Sequence, residues 1–83
     1  MPKVVEVVMG PSVTETGIIG RAVTLENGWG QVQSYNKKDK MWEVGGTNLQ
    51  SLWGADDISQ DLLEQYGFDA EDIQNILWQP GDD

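Results

Sequence analysis

The residues in this chain best suited to chemistry are its carboxylates. Asp57, Asp61, Glu64, Asp69, Glu71 and Asp72 fall within sixteen positions, and no lysine or arginine occurs from residue 51 to residue 83. Such a run can ligate a hard cation, supply an acid–base pair, present a recognition surface, or simply keep a helix wet. A calcium loop needs alternating oxygen ligands, a glycine at the bend and a bidentate Glu at the twelfth position. Asp69, Glu71 and Asp72 are too few for that, and no suitable glycine and terminal Glu follow. A glycosidase pair needs a sugar-sized cleft, which 83 residues have little room to form.

Histidine and cysteine are both absent. The commonest general base, the commonest transition-metal ligand and any thiolate nucleophile are therefore missing together. Serine would need activation by a lysine or a carboxylate, and no such pairing has a recognisable context here. The glycine clusters Gly17-Ile18-Ile19-Gly20, Gly28-Trp29-Gly30 and Gly45-Gly46 match no phosphate loop. Turns and bulges in a small curved sheet account for them. The sequence predicts no enzyme, no catalytic metal and no cofactor.

Recognition is the chemistry that remains. At about 100° per residue, Asp57, Asp61 and Glu64 lie within roughly 80° of one another, opposite Ile58, Leu62 and Tyr66. Carboxylates in such a stripe can imitate the phosphates of a nucleic-acid backbone. An amphipathic helix must expose something polar, and acids serve that end too. Solvated faces ordinarily mix signs, however, so the absence of bases favours recognition. Net charge is −9, and it is unevenly spread. Residues 1–50 hold five acids and five bases, while residues 51–83 hold nine acids and no base. Direct binding to nucleic acid or to an anionic membrane is excluded on this reading, since phosphate contacts need clustered Lys or Arg. A basic protein partner fits the sign.

Four tryptophans add an aromatic component. Trp42 alternates with Val44 and reads as core. Trp53 is placed to plug the junction between sheet and helices. Trp29 falls on the wetter face of a hairpin. Trp78 lies about 140° from the centre of the stripe formed by Ala70, Ile73, Ile76 and Leu77. Exposed tryptophan marks interface hot spots, although a helix-end tryptophan can also fold back onto a sheet. The expected partner-binding set is Asp57, Asp61, Glu64, Asp69, Glu71, Asp72, Trp78 and Trp29.

The elements that must carry these residues change character near Gly45-Gly46. Before that point apolar residues recur with period two. Val4 to Met9 is a β-branched run closed by Gly10-Pro11-Ser12. Ile18 to Glu26 reads as a second strand, and Asn27-Gly28 as a two-residue hairpin loop pairing Glu26 with Trp29 and Thr24 with Gln31. That register buries Ile19, Arg21, Val23, Leu25, Val32 and Ser34. It leaves Ala22, Thr24, Glu26, Trp29, Gln31, Gln33 and Tyr35 on the wet side. A turn at residues 36–39 leads to a fourth strand, Lys40 to Val44. Asp56 or Asp57 is expected to cap a helix running to Tyr66, with Gly67 at its left-handed end and Phe68 packed on Leu63. Asp69-Ala70-Glu71-Asp72 opens a second helix, which Pro80-Gly81 ends.

The predicted fold is α+β in one domain. A small antiparallel meander of about four strands fills residues 1–46 and can curl into an SH3-like barrel. A connector covers 47–55, an acidic helical pair 56–79 and a tail 80–83. Pro2-Lys3 leads into a short Val-rich run interrupted by Glu6, so the chain reads as lacking a leader and as cytoplasmic. The expected function is a non-enzymatic module that offers an acidic helical surface to a basic protein, in its sharper form an inhibitor imitating nucleic acid. The alternative is a small structural subunit that joins an assembly through exposed aromatics and a sheet edge.

Overall fold

The β-branched and alternating residues of the first half do form strands. A computed structural model describes residues 2–81. The strands are β1 (Val4–Val13), β2 (Ile19–Leu25), β3 (Gly30–Asn36), β4 (Met41–Val44) and β5 (Asp56–Asp57), ordered β4-β3-β2-β1-β5 in one antiparallel sheet. The helices are α1 (Leu49–Trp53), α2 (Gln60–Gln65) and α3 (Ala70–Leu77). The expected α+β plan, a meander followed by two short C-terminal helices, is present. The sheet stays open instead of closing into a barrel, with β4 and β5 at its edges.

Gly10-Pro11-Ser12 does not end the first strand. β1 runs on to Val13, with its register against β2 shifting between Met9 and Ser12. A bulge tolerates proline because the missing N–H falls where the ladder is already broken. Gly10 has φ +90°, and a Cβ there would lie 2.8 Å from the Gly20 carbonyl oxygen. The two strands cross too closely at this point for any side chain.

The β2–β3 hairpin is one residue out of the expected register. Observed partners are Thr24–Gly30, Ala22–Val32 and Arg21–Gln33. The loop holds three residues: the Gly28 amide donates to the Leu25 carbonyl at 2.9 Å, and the Leu25 amide to the Trp29 carbonyl at 2.8 Å. A two-residue turn would force positive φ on Asn27 as well, whereas here only Gly28 adopts it. The slip places Gln33 and Tyr35 beside Arg21 and Ile19, so Gln33 is buried and Tyr35 half-buried, contrary to expectation.

Both faces of β2 are covered. Ile19 joins Ile58, Leu63, Ile73 and Ile76 in the core beneath α2 and α3. Its neighbour Gly20 points the other way, where a Cβ would meet Leu52 of α1 and Thr47 at 2.8 Å. The 47–55 segment is thus not a plain connector. Asn48 caps α1 by accepting from the Ser51 amide at 2.8 Å, and buried Leu52 anchors the helix to the sheet.

Asp56 and Asp57 cap nothing. They pair with Val13 and Ser12 as β5, and Ser59 caps α2 through the Leu62 amide at 3.3 Å. The end of α2 is as the sequence indicates. Gly67 has φ +85°, its amide donates to Glu64 at 3.0 Å, and the Phe68 amide reaches Leu63 at 3.1 Å. That is the Schellman pattern. α3 stops at Leu77, earlier than expected, with Trp78 already in extended backbone two residues before Pro80. The tail expected at Asp82 and Asp83 lies outside the described residues.

The close crossing generates a prediction. Gly10→Ala should lower the unfolding free energy by at least about 2 kcal/mol, from positive φ plus backbone overlap. Gly28→Ala, with open space around it, should cost only about 1 kcal/mol. Urea denaturation of both variants checks the difference, and equal losses would contradict the crossing.

Candidate partner-binding surface

Two of the predicted recognition acids make bonds within the molecule, although only Asp72 is buried. Asp69 caps α3 by accepting from the Asp72 amide at 2.9 Å, and Asp72 closes the capping box by accepting from the Asp69 amide at 3.4 Å. Asp72 is only 1% exposed. A carboxylate buried that deeply must be hydrogen-bonded and charge-compensated. The Tyr35 hydroxyl donates to it at 2.6 Å, and the Lys40 ammonium lies 3.3 Å away. Lys40 also bonds Asp69 at 2.7 Å. The acids of α3 are therefore not base-free. Their counter-charge arrives from the other half of the chain, where the sheet brings Lys40 beneath the helix.

These contacts displace the proton equilibria. The Asp69 carboxyl is held below the ordinary aspartate range, chiefly by its hydrogen bond to Lys40. Lys40 is raised, first by the same bond. Burial and the bond to Asp72 push the Tyr35 hydroxyl up to about 12. Asn75 completes the junction: its amide donates to the Lys40 carbonyl at 3.1 Å, and its own carbonyl accepts from the Trp42 indole at 3.2 Å.

Arg21 is buried beside this network. Its Nε donates to Gln33 Oε1 at 2.8 Å, and its guanidinium lies 4.2 Å from the centre of the Trp42 ring. Its Nη1 is without a hydrogen-bond partner, and burial lowers its pKa to about 10. Trp42 is thus part of the packed face, as the sequence indicates.

The remaining predicted residues are distributed differently. Asp57 is exposed on β5, Asp61 and Glu64 are exposed on α2, and Glu71 is exposed in the first turn of α3. Trp29 is 72% exposed at the hairpin. Trp78 leaves the helix with extended backbone and is half-buried beside Trp42 and Val4, so a helical wheel does not describe its position. Trp53 is 78% exposed and plugs no junction, because Leu52 occupies the face of α1 that meets the sheet.

Three residues outside the predicted set complete the acidic end. Glu15, Asp56 and Tyr66 line a shallow cleft of about 330 Å³ between the β1–β2 turn and the end of α2. All three are exposed, with Asp57 next to Asp56 on β5. The sequence carried a signal for Asp56, adjacent to Asp57, but none for Glu15, which the fold brings across more than 40 positions. Among the described residues no group of three or more His, Cys, Asp or Glu side chains is arranged to hold a metal. No described helix is long and apolar enough to cross a membrane. Compared with family models, with curated proteins and with solved structures, the chain matches none.

The junction can be tested by pH. Tyr35→Phe should cost about 1–3 kcal/mol at neutral pH, as expected when a buried carboxylate loses a donor. A raised folded-state pKa means that tyrosine's contribution is fully present below its unfolded value near 10 and is lost as pH rises towards 12. The stability gap between wild type and Tyr35→Phe should therefore shrink between pH 10 and 12. Denaturation curves across that range check it, and a constant gap would contradict the bond.

Proposed function

We propose that this protein is a non-enzymatic interaction module that docks a basic protein on its acidic end, formed by Glu15, Asp56 and Asp57 with Asp61 and Glu64 of α2 following in the chain. One observation carries the reading. These carboxylates are exposed and form no ion pair with any described residue, whereas Lys40 compensates Asp69 and Asp72. Uncompensated like charge costs a small domain stability unless something outside the fold uses it. The exposed ring of Tyr66 in the same cleft offers a face to an incoming lysine or arginine. In its sharper form the module is a cytoplasmic inhibitor whose carboxylates stand in for nucleic-acid phosphates on a basic protein.

A second reading has its own support. The rings of Trp29 and Trp53 are the two most exposed large apolar side chains, which suits a subunit held in an assembly by apolar contacts. Salt separates the two, since charge-driven docking weakens as ionic strength rises and apolar docking does not.

The test neutralises the acidic end. The variant Glu15→Gln/Asp56→Asn/Asp57→Asn/Asp61→Asn/Glu64→Gln should keep or slightly raise the melting temperature. Its affinity for a dodecalysine peptide should fall about tenfold or more at low salt, with a flatter salt dependence. Calorimetric titrations at two salt concentrations measure both. Undiminished binding would show these carboxylates to be only a solvated face and would favour the aromatic subunit reading.

A further inference from the structure

We propose that the outer edge of β1, from Val4 to Met9, accepts an extended basic segment of the partner as an added β-strand. One side of β1 pairs with β2 along the strand. Among the described strands only β5 pairs with the other side, at its end, where Ser12 and Val13 pair with Asp57 and Asp56 and the Pro11 carbonyl accepts from the Ile58 amide at 3.3 Å, while Trp78, Pro80 and Gly81 share a cleft with Val4 and Val5. No described strand pairs with residues 4–10 on that side. The free stretch from Val4 to Met9 spans about 20 Å at roughly 3.3 Å per residue, the length of an ordinary strand.

This edge lacks most of the devices that keep sheet edges inert. Those devices are shortness, proline, charge, bulges and cover by another element, and of them this stretch has bulges and the single charge of Glu6. Val4-Val5-Glu6-Val7-Val8-Met9 holds one charge and no proline, and its residues favour strands. Val5 is 48% exposed and Val8 62%. At the opposite edge β4 has only four residues, with Glu43 among them. Of the two edges, β1 offers the longer and more apolar template.

Its irregularities and its surroundings choose the occupant. The register against β2 shifts between Val4 and Glu6 and again between Val7 and Met9. Such bulges increase local twist, which hinders rigid edge-to-edge pairing of two folded copies. Each copy also carries −9, so self-association brings like charges together. A flexible segment from another protein can follow the twist. An added strand would lie in line with β5 and end at Ile58, whose amide bonds Pro11, with Asp57 one residue further along opposite Ser12; a carboxylate near that end favours lysine or arginine there. Main-chain bonds along β1 would supply affinity, and alternate apolar side chains would meet Val5 and Val8. The sign of the partner's charge rests on the proposed function, while the strand-addition mode rests on the edge itself.

The experiment titrates isotope-labelled protein with three probes: an eight-residue peptide alternating lysine and valine, the same peptide with alternate backbone nitrogens methylated, and octalysine. The expected result is tighter binding of the alternating peptide, with at least tenfold slower amide exchange within Val4–Met9 and loss of both on methylation. Val5→Glu/Val8→Glu should bind the alternating peptide at least tenfold more weakly, although its net charge is more negative by two. Equal binding of the methylated peptide, undiminished binding by that variant, or protection confined to β4 would overturn strand addition. If octalysine binds through the acidic end while the alternating peptide protects no β1 amide, strand addition falls and the docking reading survives. If none of the peptides binds, both fall.

Discussion

The buried carboxylate of Asp72 sets the terms for the rest of the molecule. α3 can cover the sheet only if that charge is satisfied where water is absent, and each partner it uses fixes a different element. Tyr35 fixes β3, Lys40 fixes the turn into β4, and the Asp69 amide fixes the start of α3 itself. Lys40 adopts φ +56°, an uncommon conformation for a residue with a side chain. Its carbonyl is held by Asn75 and its ammonium by both aspartates, so the same contacts that satisfy Asp72 also hold the turn in place. Core, cap and turn meet at one junction.

That junction also sorts the charges. Lys40 pairs with buried Asp72 and with Asp69, which stays exposed, while Asp56, Asp57, Asp61 and Glu64 on β5 and α2 are exposed and have no such partner among the described residues. The sheet brings Glu15 to the same end. β5, which pairs only with Ser12 and Val13 at the end of β1, is itself an acidic pair.

Local signals in the sequence were legible where one residue's backbone preference decides the outcome. Gly67 and Phe68 end α2 as their types require, and Asp69 with Asp72 forms a capping box at the expected helix start. The Asn27-Gly28 hairpin was legible only in part. Two loop lengths suit that dipeptide, they differ by one residue, and the choice moves Gln33 and Tyr35 to the buried face. α1 and β5 escaped notice because they are too short for periodicity: five residues with one buried leucine, and two residues paired across an edge. The division of charge into a neutral half and an acidic half misled for a further reason. Lys40 and Asp72 are 32 positions apart in the chain and 3.3 Å apart in space. Composition by halves cannot see a contact that the fold makes between them.

A double-mutant cycle between Tyr35 and Asp72 tests the central claim, that Asp72 is a structural acid held from within. Wild type, Tyr35→Phe, Asp72→Asn and the double variant would be compared by urea denaturation at neutral pH. A direct bond in a buried network predicts strong non-additivity, with a coupling energy of about 0.5–3 kcal/mol. Additivity to within about 0.3 kcal/mol would contradict it.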